Sequence, residues 1–187
     1  MNDEVFGGFR KALDEVSGSS AGGAPFLICY GVTFIVTGIL AFFLARETSA
    51  LIAMFQGGVA LPVAFMLERR IGTGRMSAEN PLKSLSAQLA VSQALAIPFL
   101  IVAYNVNPDQ IPVMMAGLGG VHFLPYAWLH RTRIYVLIGV VISVGAFVAI
   151  LASSVSASFE YILLLVGVTY LAAAPFVYRH AKQVVAA

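Results

Sequence analysis

Several side chains carry hydrogen-bonding chemistry into apolar runs of this sequence. His122 stands within PVMMAGLGGVHFLPYAWL, Gln56 within TSALIAMFQGGVALPVAFML, and Gln93 within KSLSAQLAVSQALAIPFLIVAY, where Gln88 and Ser92 lie close by. Counted from the ends of those runs, Gln56, Gln93 and His122 fall at roughly one depth. An imidazole donates from one ring nitrogen, accepts at the other and exchanges a proton near neutral pH. A carboxamide donates and accepts at once. This set suits reversible binding of a small polar solute, with His122, Gln56, Gln93, Gln88 and Tyr126 as its ligand-binding candidates. A structural reading fits the same residues: a histidine bonded to a glutamine or a freed carbonyl would lock helices together. The runs hold no His-x-x-x-His pair, no carboxylate cluster and no Ser/His/Asp set. No catalytic residue, metal site or cofactor is therefore expected, and an enzyme is disfavoured. The single cysteine, Cys29, excludes an intrachain disulfide.

The elements that must hold these groups follow from composition. Of 187 residues, 59% are hydrophobic and 11% charged, against about 25% charged in soluble domains. That excludes an ordinary cytosolic enzyme, a nucleic-acid binder and a disordered chain. Six apolar runs lie at about 26–45, 48–67, 83–104, 109–129, 134–153 and 159–178. Each approaches the roughly 20 helical residues that cross a bilayer. The expected fold is an all-α membrane protein, a six-helix transmembrane bundle over 25–187. Residues 1–24 read as a cytoplasmic N-terminal segment: an amphipathic helix with Val5, Phe9, Leu13 and Val16 on one face, then SGSSAGGAP, a flexible linker by composition. With the N-terminus inside and the spans alternating, ten of the eleven Lys and Arg residues fall inside, and only Arg46 falls outside. Both termini are expected in the cytoplasm.

An internal repeat is also legible. Gly57-Gly58-Val59 followed by Leu61-Pro62 in the second run matches Gly119-Gly120-Val121 followed by Leu124-Pro125 in the fourth, and Gly167, Pro175 and Arg179 echo it in the sixth. Repeated helical hairpins, pairing runs one with two, three with four and five with six, would produce it. Gly57, Gly58, Gly119 and Gly120 read as helix-packing positions. Pro62, Pro98, Pro125 and Pro175 read as kinks, each freeing a carbonyl four residues earlier, and such kinked helices suggest a shared cavity. Glu68 and Glu160 read as interfacial and Asp109 as a turn residue. Tyr104, Tyr126, Trp128, Tyr135 and Tyr178 fit aromatic belts.

Asn80-Pro81-Leu82, Gln88, Pro98 and the run Gly119 to Tyr126 together resemble a family of small bacterial multi-pass membrane proteins known only as a domain of unknown function. The resemblance covers roughly 25–150 and is strongest at 80–130. It implies a bacterial inner-membrane location and no particular activity. The expected function is a small-solute permease or channel with a mid-membrane site around His122. The alternative is a lipid-binding or regulatory membrane protein with an apolar cavity. The expected partners are membrane lipids, an unidentified small solute and a second copy in a homo-oligomer, with no nucleic acid.

Overall fold

Apolar runs without strand periodicity fold here as helices. A computed structural model describes residues 2–186, with side chains from residue 6 onward; Val5 and its place on the amphipathic face lie outside the described side chains. Among the described residues nine α-helices follow in order: α1 (Asn2–Ser19), α2 (Ala24–Leu40), α3 (Arg46–Phe55), α4 (Gly57–Ile71), α5 (Lys83–Ser92), α6 (Ile97–Val106), α7 (Ile111–Leu129), α8 (Ile134–Ala152) and α9 (Phe159–Ala186). The described residues contain no strand. Five segments are long and apolar enough to cross a membrane: Ala21–Leu40, Arg46–Ile71, Lys83–Val106, Ile134–Ala152 and Phe159–Ala186. Two of these are interrupted. Gln56 separates α3 from α4, and Gln93 with a 3-10 turn at Ala94–Ala96 separates α5 from α6. The 19-residue α7 stands apart from the five because three glycines, two prolines, His122, Tyr126 and Trp128 dilute its hydropathy.

The centre of the bundle is α9, packed most closely on α2, while α7 packs most closely on α8. Both crossings rest on glycine, which lets backbones approach where dispersion supplies the attraction. A Cβ on Gly167 would lie 2.8 Å from the Gly31 carbonyl oxygen, and one on Gly139 would lie 2.6 Å from the Gly120 carbonyl oxygen. Phe34, Phe123, Ile142, Leu163 and Val166 fill the space between. Span three is peripheral: α5 contributes no buried residue. The pairing of runs three and four expected from sequence is thus a minor contact, and the close partner of run four is run five. Large apolar side chains such as Phe43, Leu95, Phe99 and Leu151 face outward, more than a water-facing surface carries.

The Gly/Ser-rich stretch 17–25 lies within the end of α1, a 3-10 turn and the start of α2. Ser17 and Gly18 lie buried within α1, and a 3-10 turn at Ala21–Gly23 leads into α2. Gly22 and Gly23 adopt φ of +65° and +80°, the region that favours glycine. A Cβ on Gly22 would lie 2.7 Å from the Val177 carbonyl oxygen. These small residues serve close approach, which composition does not distinguish from flexibility.

At the end of the bundle where α3, α7 and α9 begin, Arg46 joins three segments. Its Nη1 donates to Glu160 Oε1 at 2.6 Å, its Nε lies 3.0 Å from Asp109 Oδ1 in an ion contact without hydrogen-bond alignment, and its guanidinium sits 4.4 Å from the Phe159 ring centre. Asp109 is more than the turn residue its sequence context suggests. Arg46→Gln leaves Asp109 and Glu160 without the cation they share. The expected loss is about 2 kcal/mol, less than a fully buried pair gives because the Arg46 side chain is 32% exposed. Thermal unfolding in detergent measures it, and an unchanged midpoint would show that water already screens the cluster.

Candidate functional site

The residues singled out by chemistry occupy three of the apolar segments. Gln56 sits in the break between α3 and α4 and is 7% exposed; neither its amide oxygen nor its amide nitrogen has a hydrogen-bond partner. An unpaired amide in an apolar setting is costly, so this side chain does not serve as a helix-to-helix lock. Its segment α3 packs against α6 and α7. His122, on α7, places Nδ1 3.4 Å from Ser92 Oγ. That hydroxyl already donates to the Leu89 carbonyl at 2.7 Å. The histidine is therefore the donor in this weak bond, which leaves Nε2 as the acceptor in the neutral ring. Tyr126 packs on the same imidazole, ring centres 5.0 Å apart. Gln93 is exposed at the break in span three, and Gln88 donates to Ser84 Oγ at 3.3 Å. Among the described residues no hydrogen bond joins a glutamine to His122.

The four prolines and four glycines take varied places. Pro62, Pro98, Pro125 and Pro175 all face the exterior of the bundle. Pro98 lies in the first turn of α6, while the other three lie inside helices that continue past them. They do not line a common cavity. Gly119 and Gly120 are buried, and a Cβ on Gly120 would overlap Ser143 Oγ. A Cβ on Gly57 would lie 2.9 Å from Tyr30 Oη, whereas Gly58 is exposed with nothing within 4 Å. Two concavities lie at the opposite end of the molecule from Arg46, one small and one an open groove beside α1. Neither is lined by Gln56, Gln93 or His122.

Sequence reasoning passed over a second constellation. His130, just past α7, is 3% exposed and shares a 3.1 Å hydrogen bond between its Nδ1 and Ser17 Oγ. His180 Nε2 donates to the His130 carbonyl oxygen at 3.1 Å. Tyr135 stacks on the His130 ring at 5.4 Å and donates to the Gly22 carbonyl. Tyr126 stacks on the same ring at 5.9 Å and lies 5.8 Å from Tyr135, so the three rings form a triangle. Tyr126 and Tyr135, expected in an aromatic belt, instead join α1, α7 and α8 beneath the N-terminal helix. The available signal was the position of His130 and His180 at the ends of two runs beside Arg131 and Arg179, which a count restricted to Lys and Arg ignores.

This cluster should make α1 docking pH-dependent. Burial first, and then the neighbouring His180, push His130 from 6.5 down to about 4. Across the face of α1, Glu15 accepts from the Ser77 backbone N–H and the Asn80 amide, which hold its carboxyl below its usual value. A histidine kept neutral when docked contributes stability above its free value that is lost as pH falls toward its docked value. Lowering pH from 7 to 5 should weaken docking by about 2 kcal/mol. The single tryptophan, Trp128, packs on Phe9 of α1, so its fluorescence reports the release. A flat signal across this range, or one unaltered in His130→Asn, would refute the role.

One family pattern matches residues 9–180 of the chain, described only as a family of unknown function (DUF7010). No curated protein and no solved structure matches.

Proposed function

The chain belongs to the DUF7010 family of unknown function, and we propose that it is a six-span membrane protein that passes a small uncharged polar solute through a site at mid-span. The observation that carries this reading is that both interrupted spans break at a glutamine, Gln56 and Gln93, and that Gln56 is buried with its amide unpaired. Discontinuous spans are where membrane carriers build their sites, because freed backbone groups and nearby polar side chains can meet a solute there. Gln56 offers a donor and an acceptor, and His122 Nε2 offers a second acceptor. No carboxylate lies at this level, so passage would be facilitative or use His122 as a proton carrier.

The topology belongs to the same reading. The Arg46 cluster gathers the starts of α3, α7 and α9 at one end, and the His130 cluster gathers the starts of α2 and α8 with the ends of α7 and α9 at the other. That alternation, with α7 as the sixth span, supports both termini on the basic, cytoplasmic side of a bacterial inner membrane. It also runs the two Gly-Gly, Leu-Pro elements in one direction, as repeated hairpins require.

The test is uptake of urea, glycerol and formamide into proteoliposomes. Uptake of at least one should exceed that of protein-free vesicles and fall about tenfold or more in His122→Ala, the loss expected when a bound solute loses one buried hydrogen bond. Background uptake of all three would overturn the proposal. A lipid-binding role is favoured by one observation, the exposure of Ser92 and Gln93 on the flank of the bundle. There a lipid polar group, rather than a dissolved solute, would meet them.

A further inference from the structure

The end of α7 carries arginine where helices favour glycine. Arg131 N–H donates to the Trp128 carbonyl at 3.1 Å and Thr132 N–H to the Ala127 carbonyl at 3.0 Å, the bond pair that closes a helix through a left-handed residue. Arg131 holds that conformation at φ +52°, which strains any residue with a Cβ. A strained position occupied by arginine rather than glycine directs attention to its side chain. The guanidinium lies 2.7 Å from Asp14 Oδ1 on α1. It also walls an open groove of about 450 Å³ whose other sides are Phe6, Phe9, Arg10 and Leu13. Among the described residues no carboxylate lines the groove. Phe6 is 70% exposed, and Trp128, 52% exposed, packs against Phe9 at 5.8 Å.

We propose that this groove is a binding site for an anionic phospholipid, with Arg10 and Arg131 on the headgroup phosphate and the acyl chains laid along Phe6, Phe9 and Trp128. Charge complementarity selects the occupant. Two guanidiniums present forked donors that match phosphate oxygens, and among the described side chains Asp14 pairs with Arg131 alone. A choline or ethanolamine headgroup would bring an ammonium toward the same arginines. Exposed aromatic rings beside basic residues suit the depth of the headgroups. The site is separate from Gln56 and His122 and does not depend on their role.

Native mass spectrometry from micelles containing equal phosphatidylglycerol and phosphatidylcholine tests this. The wild type should retain phosphatidylglycerol about tenfold over phosphatidylcholine, the preference that one extra charge-assisted hydrogen bond would give. Arg10→Gln, on an exposed face, should erase most of that preference. Arg131→Gly should do the same while easing the strained backbone, and Arg10→Gln, which leaves the Arg131–Asp14 pair in place, controls for the loss of that pair. Equal retention of the two lipids, or a preference that survives both substitutions, would overturn the proposal. Displacement of phosphatidylglycerol by inorganic phosphate alone would also overturn it, because the site would then bind free anions rather than a lipid.

Discussion

Gly139→Leu should lower stability by about 3 kcal/mol, whereas Gly58→Leu should change it by less than about 1 kcal/mol. The contrast comes from where each α-carbon sits. A Cβ on Gly139 would meet the Gly120 carbonyl oxygen at 2.6 Å, and backbone cannot swing aside as a side chain can. The added side chain therefore separates α7 from α8, and the buried contacts of Ile138, Ile142 and Phe123 go with that crossing. Gly58 meets nothing within 4 Å, and leucine favours a helix more than glycine does. In detergent the first substitution should lower the unfolding midpoint by about 10 °C and the second should barely move it. Equal effects would show that the α7–α8 crossing is not what orders the bundle.

The second large effect runs in opposite directions for stability and function. Gln56→Leu replaces a buried amide lacking both partners with an apolar side chain of similar size. Removing an unsatisfied buried polar group should raise stability by about 1–3 kcal/mol. The same substitution takes away the donor and acceptor on which the proposed solute site depends, so uptake should fall to the level of protein-free vesicles. A residue that costs stability yet gives passage is what a binding position looks like, since function and stability often trade against each other. A loss of stability in this variant would mean that Gln56 has a structural partner after all.

Much of the fold was legible because apolar runs of about twenty residues permit little besides helices. The starts expected at Lys83, Ile134 and Phe159 are the observed helix starts. Partner choice was less legible. Gly-Gly pairs announce a close crossing without saying which helix crosses there, and run four turned to α8 rather than to the adjacent α5–α6 segment. The extension of α9 to Ala186 rests on Val177 and Ala181 packing beneath the N-terminal region, a tertiary effect without local periodicity. Residues 17–25 misled because glycine serves both flexible chain and tight approach. At the candidate site, polarity within an apolar run was enough to pick out Gln56, Gln93 and His122. It did not disclose that the glutamines stand at helix breaks, nor that the four prolines face outward. His130 escaped because its burial comes from α1, far away in sequence.

The most direct test of the central claim is urea uptake into proteoliposomes reconstituted with equal amounts of wild-type protein and Gln56→Leu, with the unfolding midpoint of each recorded in parallel. The account predicts uptake above background for the wild type, background uptake for the variant and a higher midpoint for the variant. Uptake that is undiminished in Gln56→Leu, or no greater than background in the wild type, would contradict it.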